Sequence, residues 1–151
     1  MSSHPQLQPA AQHRPGSSGA ASCQPEVVRI ELLGGFSVWV GSRVIEEDRL
    51  RLRKARSLIK LLALSSGHRL HREQVMELLW PGLEPKAAAN NLHQILHVAR
   101  RALELSVLAS PSAAACSGYL LLRDEQLLLC PDSPVWVDVE AFEEAAAAFP
   151  L

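Results

Sequence analysis

The hydrophobic and polar positions of this chain are most regularly arranged between Pro85 and Leu105. At 100° per residue, one face of a helix over this stretch carries Ala88, Leu92, Ile95, Leu96, Ala99, Ala102 and Leu103. The opposite face carries Lys86, Asn90, His93, Gln94, His97, Arg100 and Arg101. No acid occurs in the helix until Glu104, whereas a solvated helix surface ordinarily mixes Glu and Lys. The pattern predicts a helix with one core face and one face of amides, imidazoles and guanidinium groups.

Short alternating stretches precede this helix and predict a small sheet. Apolar and polar residues alternate over 27–33, 36–40 and 43–45, as they do in strands with one buried face. Gly34-Gly35 and Gly41-Ser42 separate these stretches and are turn signals between neighbouring antiparallel strands. An N-terminal antiparallel sheet is therefore expected.

Two further helices are predicted between this sheet and the long helix. The first covers Leu52 to Leu64, and its inner face consists of Ala55, Leu58, Ile59 and Leu62. The second runs from about Arg72 to Leu79 and is ended by Trp80-Pro81-Gly82. Since Pro85 suits the first turn of the next helix, a short break joins two helices, the second of which has a polar outer face. This arrangement predicts a helix-turn-helix.

A hairpin is predicted after the long helix. Residues 119–122 and 127–130 are short apolar runs on either side of the polar tip 123–126. A hairpin that follows a recognition helix is the wing of a winged helix, which lies along the DNA backbone or in the minor groove. The predicted fold class is α+β: a winged helix-turn-helix with an N-terminal antiparallel sheet, three helices and a C-terminal β-hairpin wing.

Three segments are expected along the chain. Residues 1–26 are rich in Ser, Gln, Pro, Gly and Ala without a periodic apolar pattern, which predicts a disordered tail. Residues 27–133 form the winged-helix domain. Residues 134–151 contain an extended run at 135–139 and an acidic, Ala-rich helix that begins at 140. We interpret them as a linker and the first turns of a helical domain that is cut short.

Charge is concentrated in the middle of the chain. Residues 49–101 hold 11 basic and three acidic side chains, a local net charge of +8 in a chain whose total is −1. A basic block in an otherwise acidic chain indicates a polyanionic partner. Together with the polar face of the long helix, it favours double-stranded DNA.

Composition and cysteine spacing indicate the cellular compartment of the protein. Apolar residues make up 48% and charged residues 21% of the chain, as in soluble globular proteins. Cys23, Cys116 and Cys130 are widely spaced and odd in number, so we expect reduced thiols rather than disulfides or a zinc site. No apolar run is long enough to span a bilayer. A soluble cytoplasmic protein, nucleoid-associated when bound to DNA and without a membrane partner, is expected.

The candidate DNA contacts divide by chemistry. Amide, imidazole and guanidinium groups near the centre of the polar stripe are expected to reach base edges; they are Asn90, His93, Gln94, His97 and Arg101. The other candidate cations are expected to reach phosphates; they are Arg53, Lys54, Arg56, Arg72, Lys86, Arg100 and Arg123.

Rival functions rest on fewer residues. His93 and His97 have the spacing of the metalloprotease motif H-E-x-x-H, but Gln94 stands where the general-base glutamate is required. We therefore expect no enzyme, no catalytic metal and no cofactor. A winged helix that binds proteins through its basic face is the main alternative. RNA binding is less favoured because exposed aromatic residues that stack on unpaired bases are lacking.

Six segments, in order, resemble one family, the antibiotic regulatory proteins of the SARP type. They are the N-terminal sheet, K-A-R-S-L-I-K-L-L-A-L at 54–64, R-E-Q-V-M-E-L-L-W-P at 72–81, A-x-N-N-L-H-Q-x-L-H-x-A-R-R-A-L at 88–103, G-Y-L-L-L at 118–122 and V-W-V-D-V-x-A-F-E at 135–143. The resemblance covers roughly residues 27–143. It implies an OmpR-type winged helix followed by a helical bacterial transcriptional activation domain.

The resemblance also implies a function. Members of this family are sequence-specific transcriptional activators whose third helix enters the major groove at repeated sites near promoters. Duplex DNA, RNA polymerase and a second protomer are the partners that it implies. This chain departs from the pattern at the hairpin tip, which carries Asp124 and Glu125 beside Arg123, and in having only the opening residues of the activation domain.

Overall fold

The computed structural model describes residues 26–105 and 118–149. Their α-helices are Arg53–Leu64 (α1), Arg72–Leu79 (α2), Pro85–Leu105 (α3) and Asp138–Ala148 (α4). Short 3-10 helices cover Glu47–Leu50 and Ser66–His68. None of the helices in these two ranges is long and apolar enough to cross a membrane. With two small sheets beside the helices, the protein is an α+β protein.

Seven strands lie within the described residues. They are Val28–Glu31 (β1), Ser37–Val40 (β2), Arg43–Val44 (β3), Arg69–His71 (β4), Leu120–Arg123 (β5), Gln126–Leu129 (β6) and Val135–Val137 (β7). Sheet 1 has the order β3-β2-β1-β7 and sheet 2 the order β4-β6-β5.

Sheet 1 confirms the three predicted N-terminal strands and adds a fourth. β1, β2 and β3 pair antiparallel, with Val28 opposite Val40 and Ile30 opposite Val38. The predicted antiparallel pairing of these three strands is confirmed, but the sheet as a whole is mixed, because β7 pairs with β1 in parallel. Parallel partners require a long crossover, and here most of the described chain lies between them. The alternation of apolar and polar residues within a strand does not indicate that β1 pairs with β7.

Sheet 2 contains the predicted hairpin, with its turn narrowed to two residues. β5 and β6 pair antiparallel from Leu120 opposite Leu129 to Arg123 opposite Gln126. Asp124 and Glu125 form the tip with φ of 51° and 65°, and a type I′ hairpin turn requires positive φ at both central positions. The sequence analysis missed β4, which pairs with β6 and joins the hairpin to the start of α2.

The helices bury the faces that their periodicity predicted. Ala55, Leu58, Ile59 and Leu62 of α1 are fully buried, and all seven predicted inner residues of α3 are 0–5% exposed. Apart from Ala88, these residues share one core with Val28, Ile30, Val38 and Val40 of sheet 1 and Leu127 and Leu129 of sheet 2. The predicted bounds of α2 and α3 are confirmed. A single core therefore fixes the orientation of α3.

Hydrogen bonds from the residues that follow β1 hold the start of α4. The Asp138 carboxylate accepts from the backbone N–H groups of Leu32 and Leu33 at 2.8–2.9 Å. Farther along the helix, Glu140 Oε1 lies 3.2 Å from His68 Nε2. β7 and α4 fall in the segment 134–151, which the sequence assigned to a linker and the first turns of a further helical domain. That division stays a prediction, but the segment's first residues are part of sheet 1.

Replacing Asp138 should destabilise the fold in a pH-dependent way. Burial opposes its ionisation, but hydrogen bonds from the N–H groups of Leu33, Leu32, Val139 and Asp138 outweigh burial and lower the pKa of the carboxyl. Asp138→Ala should reduce the free energy of unfolding by about 1 to 2 kcal/mol at pH 7, as measured by urea denaturation. Because the pKa is lower in the folded protein, this contribution is complete above about pH 4 and decreases as the pH falls further.

Asp138→Asn is the matched control, since it keeps one oxygen acceptor and should lose less stability at pH 7 than the alanine variant. A difference between wild type and Asp138→Ala that stays the same from neutral to acid pH would contradict this role for the ionised carboxylate.

Candidate nucleic-acid interface

The outer face of α3 presents the five residues that the sequence assigned to base edges. Asn90, His93, Gln94, His97 and Arg101 are all exposed. They form one stripe because they lie on the side of the helix opposite Leu92, Leu96 and Ala99, which are buried. α3 has 21 residues and is about 31 Å long at 1.5 Å per residue, so the stripe extends over about three helical turns.

One flank of α3 contacts sheet 2 through Arg100. The Arg100 Nε donates a hydrogen bond of 2.9 Å to the Leu120 carbonyl of β5, and the side chain is half-buried. The residue that the sequence assigned to phosphate therefore also anchors the hairpin against α3. Arg101, the next residue, is exposed and makes no such contact within the described ranges.

The side chain of Lys54, in the first turn of α1, reaches the C-terminal end of α2. Its ammonium group donates to the Leu79 carbonyl and lies 6.0 Å from the centre of the Trp80 ring, which is half-buried against the core. Cations stabilise the terminal carbonyls of a helix, so this contact ties α1 to α2. Lys54 is an exposed residue, but its ammonium group already has a partner in the fold.

Arg72 connects α2 with the hairpin tip. Its Nε lies 3.3 Å from Glu125 Oε2, and its backbone N–H donates to the Glu125 carbonyl at 2.9 Å. The acid at the tip thus pairs with a basic residue of the fold. Arg72 and the tip are fixed together, and Glu125 offsets the charge of the arginine.

The other phosphate candidates differ in exposure. Arg53, Lys86 and Arg123 are exposed, whereas Arg56 is half-buried. Arg56 lines a surface cavity with Phe36 and Lys60, between α1 and sheet 1. Lys86 lies in the first turn of α3 and Arg123 at the end of β5, so these two cations belong to different elements.

The sequence analysis did not select two arginines that the fold brings to α3. Arg49 lies in the 3-10 helix Glu47–Leu50, and Arg51 follows it. Both are exposed, and both line a surface cavity of about 220 Å³ that His97 and Arg101 also border. The available signal was the alternation of arginine at 49, 51 and 53, which does not reveal that the segment turns toward α3.

The described residues form no cluster of possible metal ligands. Within them, no three His, Cys, Asp or Glu side chains converge on a point. Cys130 is a free thiol, and burial raises its pKa to about 12, so the thiolate is scarce at neutral pH. Cys23 and Cys116 lie outside the described residues.

Comparison of the chain with protein-family models, with curated proteins and with solved structures returned no match. Neither the OmpR-type winged helix nor the SARP type gains support from these comparisons. The chemistry of the described residues therefore carries the assignment of function.

Arg100 and Arg101 should differ in their effect on stability. Arg100→Ala removes the hydrogen bond to Leu120 and should lower the free energy of unfolding by about 1 kcal/mol. Arg101→Ala removes an exposed side chain and should change it by less than about 0.5 kcal/mol. Urea denaturation of both variants without DNA measures the difference, and equal effects would show that the Leu120 contact does not anchor the hairpin.

Proposed function

We propose that this protein is a sequence-specific regulator of transcription, an activator of the SARP type, that binds double-stranded DNA and reads the major groove with α3. One observation carries the proposal: α3 exposes a continuous stripe of amides, imidazoles and a guanidinium group that contains no acid. Asn and Gln pair with adenine through two hydrogen bonds, and Arg pairs with guanine in the same way. The exposed face of an ordinary solvated helix mixes acidic and basic residues instead.

The arrangement of the elements supports an OmpR-type winged helix around that stripe. α2 and α3 are separated by the five residues 80–84, and the β5–β6 hairpin contacts α3 through Arg100. In a winged helix, the second helix of the pair enters the major groove while the hairpin contacts the backbone or the minor groove. α3 then corresponds to the recognition helix and β5–β6 to the wing.

Contacts within the fold divide the work among the cations. Asn90, His93, Gln94 and His97 serve as base readers, and Arg101 is placed to read a guanine. Exposed Arg53, Lys86 and Arg123 are the principal phosphate contacts. Lys54, Arg72 and Arg100 already have partners in the fold and contribute less to the affinity for DNA. Arg56, which is half-buried, also contributes less.

The remaining parts of the proposal follow from this function. The protein is not an enzyme and acts in the cytoplasm, on the nucleoid when bound. It binds repeated sites, as a homodimer where two sites adjoin, and its activating output passes through RNA polymerase.

Selection of bound sites from a random duplex pool tests the proposal and supplies the cognate duplex. On that duplex, Asn90→Ala and Gln94→Ala should each weaken binding by about 1 to 3 kcal/mol and relax the preference at one base pair. Affinities for the cognate duplex and for each single mismatch, measured at one fixed salt concentration, give both quantities.

Asn91→Ala is the matched control, because it removes an amide one residue away, on the half-buried flank of α3. It should leave the preference at every base pair intact. If Asn90→Ala and Gln94→Ala lose affinity equally on every duplex, the stripe contacts only phosphates. If the pool returns no motif, sequence-specific reading is wrong and the protein-interaction module becomes the better account.

A further inference from the structure

We infer that the cavity between the 3-10 helix Glu47–Leu50 and α3 binds one phosphate group, which Arg49 and Arg51 hold. The inference rests on the proposed function in one respect: we assign the phosphate to the backbone of the duplex that α3 reads. It adds two phosphate-binding residues and a defined site to the stripe of α3.

The charge of the cavity suits an anion. Arg49 and Arg51 line it, His97 and Arg101 of α3 border it, and Asp48 is the one acidic residue among its lining residues. Across residues 26–105 and 118–149, no carboxylate lies within ion-pair distance of the guanidinium groups of Arg49, Arg51 and Arg101. Guanidinium groups match the oxygens of a phosphate with paired N–H donors.

The site is held in shape by the core. Leu50, between the two arginines, is only 3% exposed, so the 3-10 helix is anchored against the core beside α3. Val98 and Ala102 supply an apolar lining, next to which a charge interaction is stronger than in open water. A water molecule takes up about 30 Å³ in the liquid, so a cavity of about 220 Å³ has room for a phosphate and bridging water.

The position of the cavity favours a phosphate of the duplex. With its side chains, a helix is about 10–12 Å across and fills a major groove about 12 Å wide. The flanks of the helix therefore face the phosphates along the groove edges. His97 and Arg101 belong both to the stripe and to the rim of the cavity, so a phosphate at this edge lies beside the bases that the stripe reads.

The salt dependence of binding tests the site. Wild type, Arg49→Ala, Arg51→Ala and the double variant are compared on the selected duplex, since each neutralised phosphate adds about 0.9 to the slope of log affinity against log salt. Because the two arginines hold the same phosphate, the slope of the double variant should be smaller than that of wild type by about 0.9 and not by about 1.8. The loss should be equal on cognate and mismatched duplexes. Arg43→Ala, which removes an arginine from β3 in sheet 1, is the matched control and should keep the wild-type slope.

A titration of inorganic phosphate into the ¹⁵N-labelled protein without DNA separates the two sources of phosphate. Saturable shifts of the amides at 48–51 and 97–102, absent from the double variant, would support the site and add free phosphate as a ligand. A reduced slope without such shifts would support the duplex backbone alone. A wild-type slope in the double variant together with no phosphate-dependent shift would overturn the inference. If wild type binds no duplex, the proposed function fails, and the phosphate titration alone decides whether the cavity binds an anion.

Discussion

Burial of the inner face of α3 is the constraint on which the rest of the structure depends. Leu92, Leu96, Ala99 and Leu103 pack into the core that both sheets share, and this packing fixes the rotation of the helix about its axis. A rotation by one residue would move the helix surface by 100° and carry amides toward the core. Burying an unpaired amide costs about 1 to 3 kcal/mol. The exposure of the polar stripe is therefore a consequence of the core.

Pairing within the fold decides which cations remain available to a ligand. The sequence does not distinguish the cations of the basic block 49–101, but in the fold Lys54 stabilises the end of α2, Arg72 pairs with Glu125, and Arg100 bonds to Leu120. These contacts position the hairpin and the two helices around α3. The cations left exposed, such as Arg49, Arg51 and Arg101, line one flank of the stripe. Among the described residues, cations with partners in the fold and exposed cations without them are thus interspersed along the same segment.

The sequence predicted α3, its buried face and the hairpin because each produces a local period. Buried positions recur along 21 residues of α3, and the two hairpin strands are adjacent in the chain. β4 has three residues, too few for a period, and was not predicted. β7 was predicted only as part of the extended run 135–139, without its pairing, because its partner β1 is distant in sequence. The same limit applies to the candidate site. Exposed residues on α3 could be selected from its wheel, whereas the approach of Arg49 and Arg51 depends on how the 3-10 helix packs.

The central claim is that the stripe of α3 reads bases in the major groove, and methylation interference on the selected duplex tests it most directly. Guanine N7 lies in the major groove and adenine N3 in the minor groove. The account predicts that methylation of N7 at guanines in the motif blocks binding, and that Arg101→Ala removes the effect at one of these guanines. Interference only from adenine N3, or none at any base of the motif, would contradict it.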